Sequence, residues 1–291
     1  MPHSYHGRIL WVDLSTGTSR VQELDESVYR HYLGGVGLGA KILYQNMKAG
    51  ADPLGPGNIL GFVPGLLTDT GSIFSGRYMV VARSPLTGMW GDANSGGFFS
   101  AELKRCGYDG IFITGQASEL SYLLVTEQGC VVKSARELAG LSPEQTDEAI
   151  RKQCGDAKIR VASIGPAGEK RSLISCIIND TGRAAGRAGL GAVMGSKRLK
   201  ALAVRGKRRI GVADEERISA LNHRYLKVLR EGPNLYTANV TDNIQKLARM
   251  LRVIPFHQRL EPNDYRELLR RYGTSGAFTF GIELGDTPSK N

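Results

Sequence analysis

The sequence predicts an α+β fold, in which a glycine-rich domain on a mixed β-sheet is followed by an incomplete all-α segment. Short apolar runs of strand length recur between residues 7 and 206, with hairpin-like pairs instead of strict strand–helix alternation. The chain has 37 glycines in 291 residues, about 13% against a usual ~7%. Beyond residue 210 the pattern becomes helical. We therefore expect two domains, 1–210 and 211–291, the second ending in a loop-like sequence before its core is complete.

The strands of the first domain are predicted from apolar runs that end at turn residues. GRILWVDL (7–14) alternates and stops at STGT, which is typical of a strand and a turn. The remaining predicted strands share this character and lie at 58–63, 77–82, 110–114, 121–126, 130–133, 158–165, 172–178 and 199–206.

The helices are predicted from periodicity and end signals. Residues 25–47 open with acidic residues and continue at helical spacing through a glycine patch, and 97–107 read as a short helix with glycine at its end. Helix 142–154 begins with a capping pattern, Ser142 followed by Gln145. In the second domain, 213–233 has an apolar stripe and acidic residues at its start. Further helices are expected at 240–254 and 262–272.

Composition argues against several classes of protein. The net charge of +10 favours an anionic partner, but few aromatic residues and no recognised motif argue against nucleic acid. No apolar run approaches the ~20 residues of a membrane span, and the first residues do not form a signal peptide. The four cysteines are dispersed, which argues against a disulfide framework or a metal knot within this chain. We expect a reduced, cytoplasmic protein without a membrane partner.

Two glycine motifs resemble nucleotide-binding signatures without meeting their requirements. GGVGLGA (34–40) follows a helical pattern instead of a strand, and GAVMGSK (191–197) lacks the spacing of a P-loop. Both are interpreted as small residues at close helix contacts.

Two other stretches suit an anionic ligand. In the first, Arg77 opens a strand and ANSGG (93–97) precedes a helix, so that unpaired backbone N–H groups and short polar side chains are expected there. In the second, RAAGRAG (183–189) combines small residues with two arginines, which bind phosphate oxygens well. Two such stretches in one domain indicate two phosphates, or one ligand with two anionic ends.

These stretches resemble, in order along the chain, the aldehyde:ferredoxin oxidoreductase family. Members are tungsten or molybdenum enzymes that hold the metal between two pterin cofactors. The resemblance is carried by GRILWVDLSTG, LGGVGLGAKIL, GRYMVVARSPLTG, ANSGGFFSAELKRCGYDGI, ASIGPAGE, IINDTGRAAGRAGLGAVMGSKRLKALAV and the closing YGTSG and GDTPSKN. It implies that the first domain is the base on which the pterins lie, and that the second is the start of a helical domain.

The resemblance also implies a set of cofactor-binding residues within the two stretches. Those expected to contact the pterins or their phosphates are Arg77, Asn94, Ser95, Gly96, Arg183, Ala184, Gly186 and Arg187. The backbone carbonyls of Asn94 and Ala184 are expected to hold a magnesium ion that bridges the two pterin phosphates. Small residues would then let the backbone reach the anions and their cation directly.

The sequence departs from the family pattern in three places. Residues 63–71 replace the usual turn sequence, and Ala188 stands where glycine is commoner. The cysteine cluster that binds a [4Fe–4S] cluster in the family is absent from this chain. The chain therefore resembles the N-terminal part of such an enzyme and is expected to be inactive without a missing C-terminal region or a companion subunit.

The resemblance implies an enzyme that interconverts an aldehyde and its carboxylate, with ferredoxin or another electron-transfer subunit as partner, and allows a homodimer. Two alternatives stay open. One is the tungsten subunit of an aromatic acyl-CoA reductase of the same family. The other is a non-catalytic pterin-binding or assembly protein.

Overall fold

The computed structural model describes residues 4–180 and 182–231. This part of the chain contains twelve strands and seven α-helices, and the predicted α+β class is confirmed. The strands are β1 (Arg8–Asp13), β2 (Thr18–Glu23), β3 (Leu60–Pro64), β4 (Tyr78–Arg83), β5 (Trp90–Ser95), β6 (Ile111–Thr114), β7 (Ser121–Thr126), β8 (Gly129–Ser134), β9 (Arg160–Ser163), β10 (Ile177–Asn179), β11 (Arg183–Ala185) and β12 (Leu199–Arg205). The helices are α1 (Glu26–Tyr32), α2 (Gly35–Asn46), α3 (Phe99–Arg105), α4 (Pro143–Cys154), α5 (Pro166–Glu169), α6 (Leu190–Ser196) and α7 (Glu215–Glu231).

The strands form two six-stranded mixed sheets. The first, called sheet A, has the order β2-β1-β6-β3-β4-β5 and is antiparallel except for the β1–β6 pair. The second, called sheet B, has the order β11-β10-β9-β12-β7-β8 and is antiparallel except for β12–β7. Strands β5 and β11 are therefore edge strands, and these two edges contact each other.

The alternation of the strands supplies apolar residues to three clusters. In β1, Leu10 and Val12 join the central cluster, which also includes residues of sheet B, α3 and α6. Ile9 and Trp11 point to the opposite face and pack with residues of α1 and α2. A third cluster lies between sheet B and α4, and includes Ile150. Each sheet has apolar residues on both faces. The central cluster buries one face of each sheet, and helices cover the opposite face.

The predicted start of α4 is confirmed. The Ser142 Oγ accepts the Gln145 N–H at 3.2 Å, and the Gln145 side chain accepts the Ser142 N–H at 2.9 Å. The helix ends at Gly155, whose φ of 66° lies in the left-handed region that glycine adopts without strain.

The single helix predicted at 25–47 is wrong, because the chain breaks between α1 and α2. Leu33 has a φ of 57°, outside helical geometry. At Gly34 a Cβ would lie 2.9 Å from the Leu66 backbone N, so the break allows the chain to pass close to that segment. Within α2, a Cβ at Gly39 would lie 3.0 Å from Val81 of β4. The interpretation of 34–40 as a close packing segment is thus confirmed.

The sequence pattern did not predict three of the strands, and it placed the start of a fourth too early in the chain. Strands β2, β5 and β11 lie in the edge regions of their sheets, where polar and small residues weaken the apolar signal. The strand predicted at 172–178 is only Ile177–Asn179. The helices predicted at 240–254 and 262–272 lie outside the described residues, whereas α7 confirms most of the helix predicted at 213–233.

The chain divides into two compact units, Met1–Glu215 and Glu216–Asn291. Both sheets belong to the first unit. The domain division at 210/211 stays a prediction. Among the helices described here, none combines the length and apolarity needed to cross a bilayer.

Candidate functional site

The two stretches predicted to bind an anion lie together where the edges of the two sheets meet. Asn94 is on β5 and faces Met79 of β4 in the register, whereas Ala184 is on β11 and faces Ile178 of β10. Contact between β5 and β11 joins the two stretches. Edge strands have backbone groups that pair with no neighbouring strand, so carbonyl oxygens are available at such a junction.

Arg77, which immediately precedes β4, lies beside the first stretch. Its Nε donates a hydrogen bond to the Oδ1 of Asn94, whose Nδ2 lies 3.0 Å from the Met79 sulfur. At Gly96 a Cβ would lie 3.4 Å from Nη1 of Arg77. The exposed guanidinium of Arg77 is therefore held over the backbone of 94–96, and its described partner is a neutral amide.

The second stretch presents its charges to solvent. Arg183, Ala184, Gly186 and Arg187 are exposed, while Ala185 between them is fully buried. Within residues 4–180 and 182–231, neither arginine pairs with a carboxylate. The surface around the β5–β11 junction thus carries three guanidinium groups without a described acidic partner, which favours an anionic ligand.

Two expectations about the first stretch need correction. The N-terminus of α3 was expected to offer free N–H groups to a ligand, but Phe98 and Phe99 donate theirs to Oδ2 of Asp180 at 2.6 and 3.1 Å. The Ser95 side chain was expected to be one of the accessible polar groups, but it is buried and donates to Oδ1 of Asn179 at 2.8 Å. The two N–H groups and the Ser95 hydroxyl therefore pair with side chains of the protein and are not available to a ligand.

The glycines of the second stretch and of the following helix α6 serve two purposes. At Gly189, Gly191 and Gly195 a Cβ would lie 1.9 to 2.9 Å from backbone oxygens of neighbouring segments, so these positions allow close packing of α6. At Gly186 the nearest atom is the Cys176 sulfur at 3.2 Å, and the residue is exposed. Of these four glycines, Gly186 is the one that suits the approach of a ligand.

Ala188, where the resemblance leads us to expect glycine, has a φ of 58°. Glycine adopts this left-handed conformation freely, whereas alanine adopts it only with strain. Its carbonyl accepts the Ser84 hydroxyl at 2.9 Å.

Asn179, which contacts both stretches, and Asp180, which bonds to the start of α3, were missed as site residues. The signal was the turn-like sequence NDTG (179–182) between a strand and the arginines, but turn residues do not reveal their tertiary partners. Burial raises the pKa of Tyr78, so its hydroxyl stays protonated and donates to Oδ1 of Asn179 at 2.9 Å.

The described residues contain no group of three or more histidine, cysteine or acidic side chains that would hold a metal ion. At the β5–β11 junction the backbone carbonyls of the two edge strands are the candidate protein ligands for a cation. This donor set suits magnesium, which prefers oxygen ligands.

Comparison with known proteins identifies the class of this protein. Residues 9–206 match the family model for the aldehyde ferredoxin oxidoreductase N-terminal domain, and the chain belongs to this family. It is 44% identical over 227 residues to the tungsten-containing aldehyde ferredoxin oxidoreductase of Thermococcus kodakarensis, and 43% identical to that of Pyrococcus furiosus. These alignments cover 78% of this chain and 38% of each relative. The chain thus spans well under half the length of the relatives it matches.

Two further relatives have other activities in their names. The chain is 32% identical over 247 residues to the WOR-like subunit of an aliphatic sulfonate oxidoreductase of Pyrococcus furiosus, covering 78% of this chain and 39% of the relative. In structure it resembles the active-site complex BamBC of benzoyl coenzyme A reductase in complex with 1,5-dienoyl-CoA. The TM-score is 0.78 at 28% identity, over 100% of this chain and 45% of that one.

Proposed function

We propose that this chain is the cofactor-binding part of a tungsten (or molybdenum) bispterin oxidoreductase that interconverts aldehydes and carboxylates. The observation that carries the proposal is the β5–β11 junction, where two stretches distant in sequence present Arg77, Arg183 and Arg187 on one surface region. The tungsten-containing relatives at 43–44% identity support this assignment.

The residues at the junction fit the phosphate ends of such a cofactor. Planar guanidinium groups bind phosphate oxygens in pairs, and the exposed arginines here have no described acidic partner. In the proposal Arg77 contacts a pterin. Asn94, Ser95 and Gly96 line one phosphate end, and the residues that line the other are Arg183, Ala184, Gly186 and Arg187. Ser95 would do so through its backbone, because its hydroxyl is buried.

The backbone carbonyls of Asn94 and Ala184 are proposed to hold a bridging magnesium ion. Both residues lie on edge strands, and their elements contact each other. The cofactor, when bound, supplies the redox chemistry. The contribution of this chain is to bind and orient the anionic ends of the cofactor.

Electron transfer is proposed to involve a [4Fe–4S] cluster and ferredoxin, or another electron-transfer subunit, with cluster ligands outside this chain. The names of the relatives support a ferredoxin partner. A cytoplasmic location and a homodimer belong to the same proposal.

Reduction of an aromatic acyl-CoA is the second candidate function. The structural likeness to the benzoyl coenzyme A reductase complex favours it. Identity to that chain is 28%, compared with 44% to an aldehyde ferredoxin oxidoreductase, so aldehyde oxidation is preferred. A non-catalytic pterin-binding protein would use the same junction.

Cofactor content tests the proposed site directly. The full chain is produced with tungstate, and pterin and tungsten are measured per folded chain. Arg183→Ala removes a hydrogen bond to a charged group, which is worth about 1.5–3 kcal/mol, and should lower pterin retention. Arg136→Ala is the matched control, because Arg136 is also exposed but follows β8 at the opposite edge of sheet B and pairs with Glu119. Equal retention by the two variants would refute the site.

Gly186→Val tests close approach of the ligand instead of charge. A branched side chain there would obstruct the ligand and crowd the Cys176 sulfur, so a larger loss of cofactor than in Arg183→Ala is expected. If the variant folds and keeps full occupancy, the cofactor lies elsewhere.

A further inference from the structure

Asn179, the last residue of β10, joins sheet B to the β5 edge of sheet A through its side chain. The residue is 2% exposed. Its Oδ1 accepts hydrogen bonds from the Tyr78 hydroxyl at 2.9 Å and the Ser95 hydroxyl at 2.8 Å, and its Nδ2 donates to the Gly96 carbonyl at 2.9 Å. One buried amide therefore holds β4, β5 and the residue that follows β5.

Asp180 extends this contact to the start of α3. Its Oδ2 accepts the backbone N–H groups of Phe98 and Phe99, and Arg160 lies 3.7 Å from its Oδ1. Gly97 lies between these contacts with a φ of 94°, and a Cβ there would lie 2.3 Å from Oδ2 of Asp180. Four of the five residues of segment 95–99 thus bond to Asn179 or Asp180, on the side of β10, and the exception is Gly97.

Asn179 is also paired with the first residue of the second stretch. Asn179 faces Arg183 in the register of β10 and β11, so the turn between these strands starts at the pair. Asn179 therefore contacts both halves of the β5–β11 junction, through its side chain on the β5 side and through strand pairing on the β11 side, while Asp180 bonds to the start of α3.

We propose that Asn179 and Asp180 are positioning residues that set the spacing of β5 and β11 for binding the anionic cofactor. This inference rests on the proposed function of the junction. The pair acts through Ser95, Gly96 and the first turn of α3, and it contacts no ligand atom itself. Outer groups of this kind typically change the affinity of a site about 10- to 100-fold when they are altered.

Asp180→Asn and Asn179→Ala in the full chain test the proposal with two readouts. The first is hydrogen exchange of the Phe98 and Phe99 amides in cofactor-free protein. The second is pterin content per folded chain after production with tungstate. Asn58→Ala is the matched control, because Asn58 is also fully buried and its side chain bonds to the Pro53 carbonyl and to the backbone N–H and carbonyl of Arg83.

The expected result separates positioning from general stability. Asp180→Asn should speed exchange of the Phe98 and Phe99 amides by about tenfold or more, as expected when a hydrogen bond to a charged group is weakened. Pterin retention should fall about tenfold in both variants. Asn58→Ala should lower thermal stability and leave exchange at 98–99 and pterin content at wild-type values.

The outcomes also separate this inference from the proposed function. If Arg183→Ala loses pterin while folded Asn179→Ala and Asp180→Asn retain as much as Asn58→Ala, the positioning role is overturned and the site stands. If wild-type protein takes up no pterin, the proposed function fails and the positioning role with it. Should Asp180→Asn and Asn179→Ala not fold, Ser95→Ala removes one bond of the network. Unchanged pterin retention in that variant would overturn the proposal.

Discussion

Gly97→Ala is expected to be among the most costly single-methyl additions in the first unit. The residue has a φ of 94°, and the new Cβ would lie 2.3 Å from Oδ2 of Asp180 and 2.9 Å from Nδ2 of Asn179. A non-glycine residue in such a backbone conformation costs about 1–3 kcal/mol. The contact also displaces Asp180 from two N–H donors, and each hydrogen bond to a charged group contributes about 1.5–3 kcal/mol.

Gly71→Ala separates these two effects. Gly71 has a similar φ of 83°, but nothing lies within 4 Å of the Cβ position. It should therefore show the backbone cost alone. We expect Gly97→Ala to exceed Gly71→Ala by about 2–4 kcal/mol, because the contact displaces Asp180.

Urea unfolding followed by tryptophan fluorescence measures this difference. Both tryptophans of the chain, Trp11 and Trp90, lie in the first unit, so the signal reports that unit. Errors in comparing single variants reach about 0.5 kcal/mol. If the unfolding free energies of the two variants differ by less than that, the contact between residues 97 and 180 is not rigid, and the prediction is wrong.

Two predictions concern titratable groups. Burial lowers the pKa of Lys197 to about 8 from an ordinary 10.5, so the unfolded chain binds its proton more tightly and the unfolding free energy should rise with pH between 8 and 9. Lys197→Met should reduce that rise by about 1 kcal/mol. If urea unfolding gives the same dependence of the unfolding free energy on pH for the variant and the wild type, the prediction is wrong. Burial also raises the pKa of the Cys106 and Cys130 thiols to about 12, which opposes the Lys197 effect above pH 9. At pH 8 in native protein, fully buried Cys106 should react with iodoacetamide about 100-fold more slowly than Cys176, and equal labelling by mass spectrometry would disprove this.

The sequence predicted those features that depend on neighbouring residues in the chain. The alternation of 7–14 predicted strand β1, and Ser142 with Gln145 predicted the start of α4. Such signals are local, because side-chain period and capping involve residues only a few positions apart. The residues of the two arginine-containing stretches were also recognisable from the sequence as suited to an anion.

Features that depend on distant residues required the tertiary structure. The sequence did not show that the strands divide into two sheets, or that β5 and β11 are edge strands whose contact joins the two stretches. It also did not show that Asp180 occupies the N-terminus of α3, or that the Ser95 hydroxyl is buried against Asn179. A short polar segment carries no apolar period, so its partners are determined by how the sheets pack. The sequence therefore determined which residues suit an anion, and the packing of the two sheets decided which of them remain free to bind one.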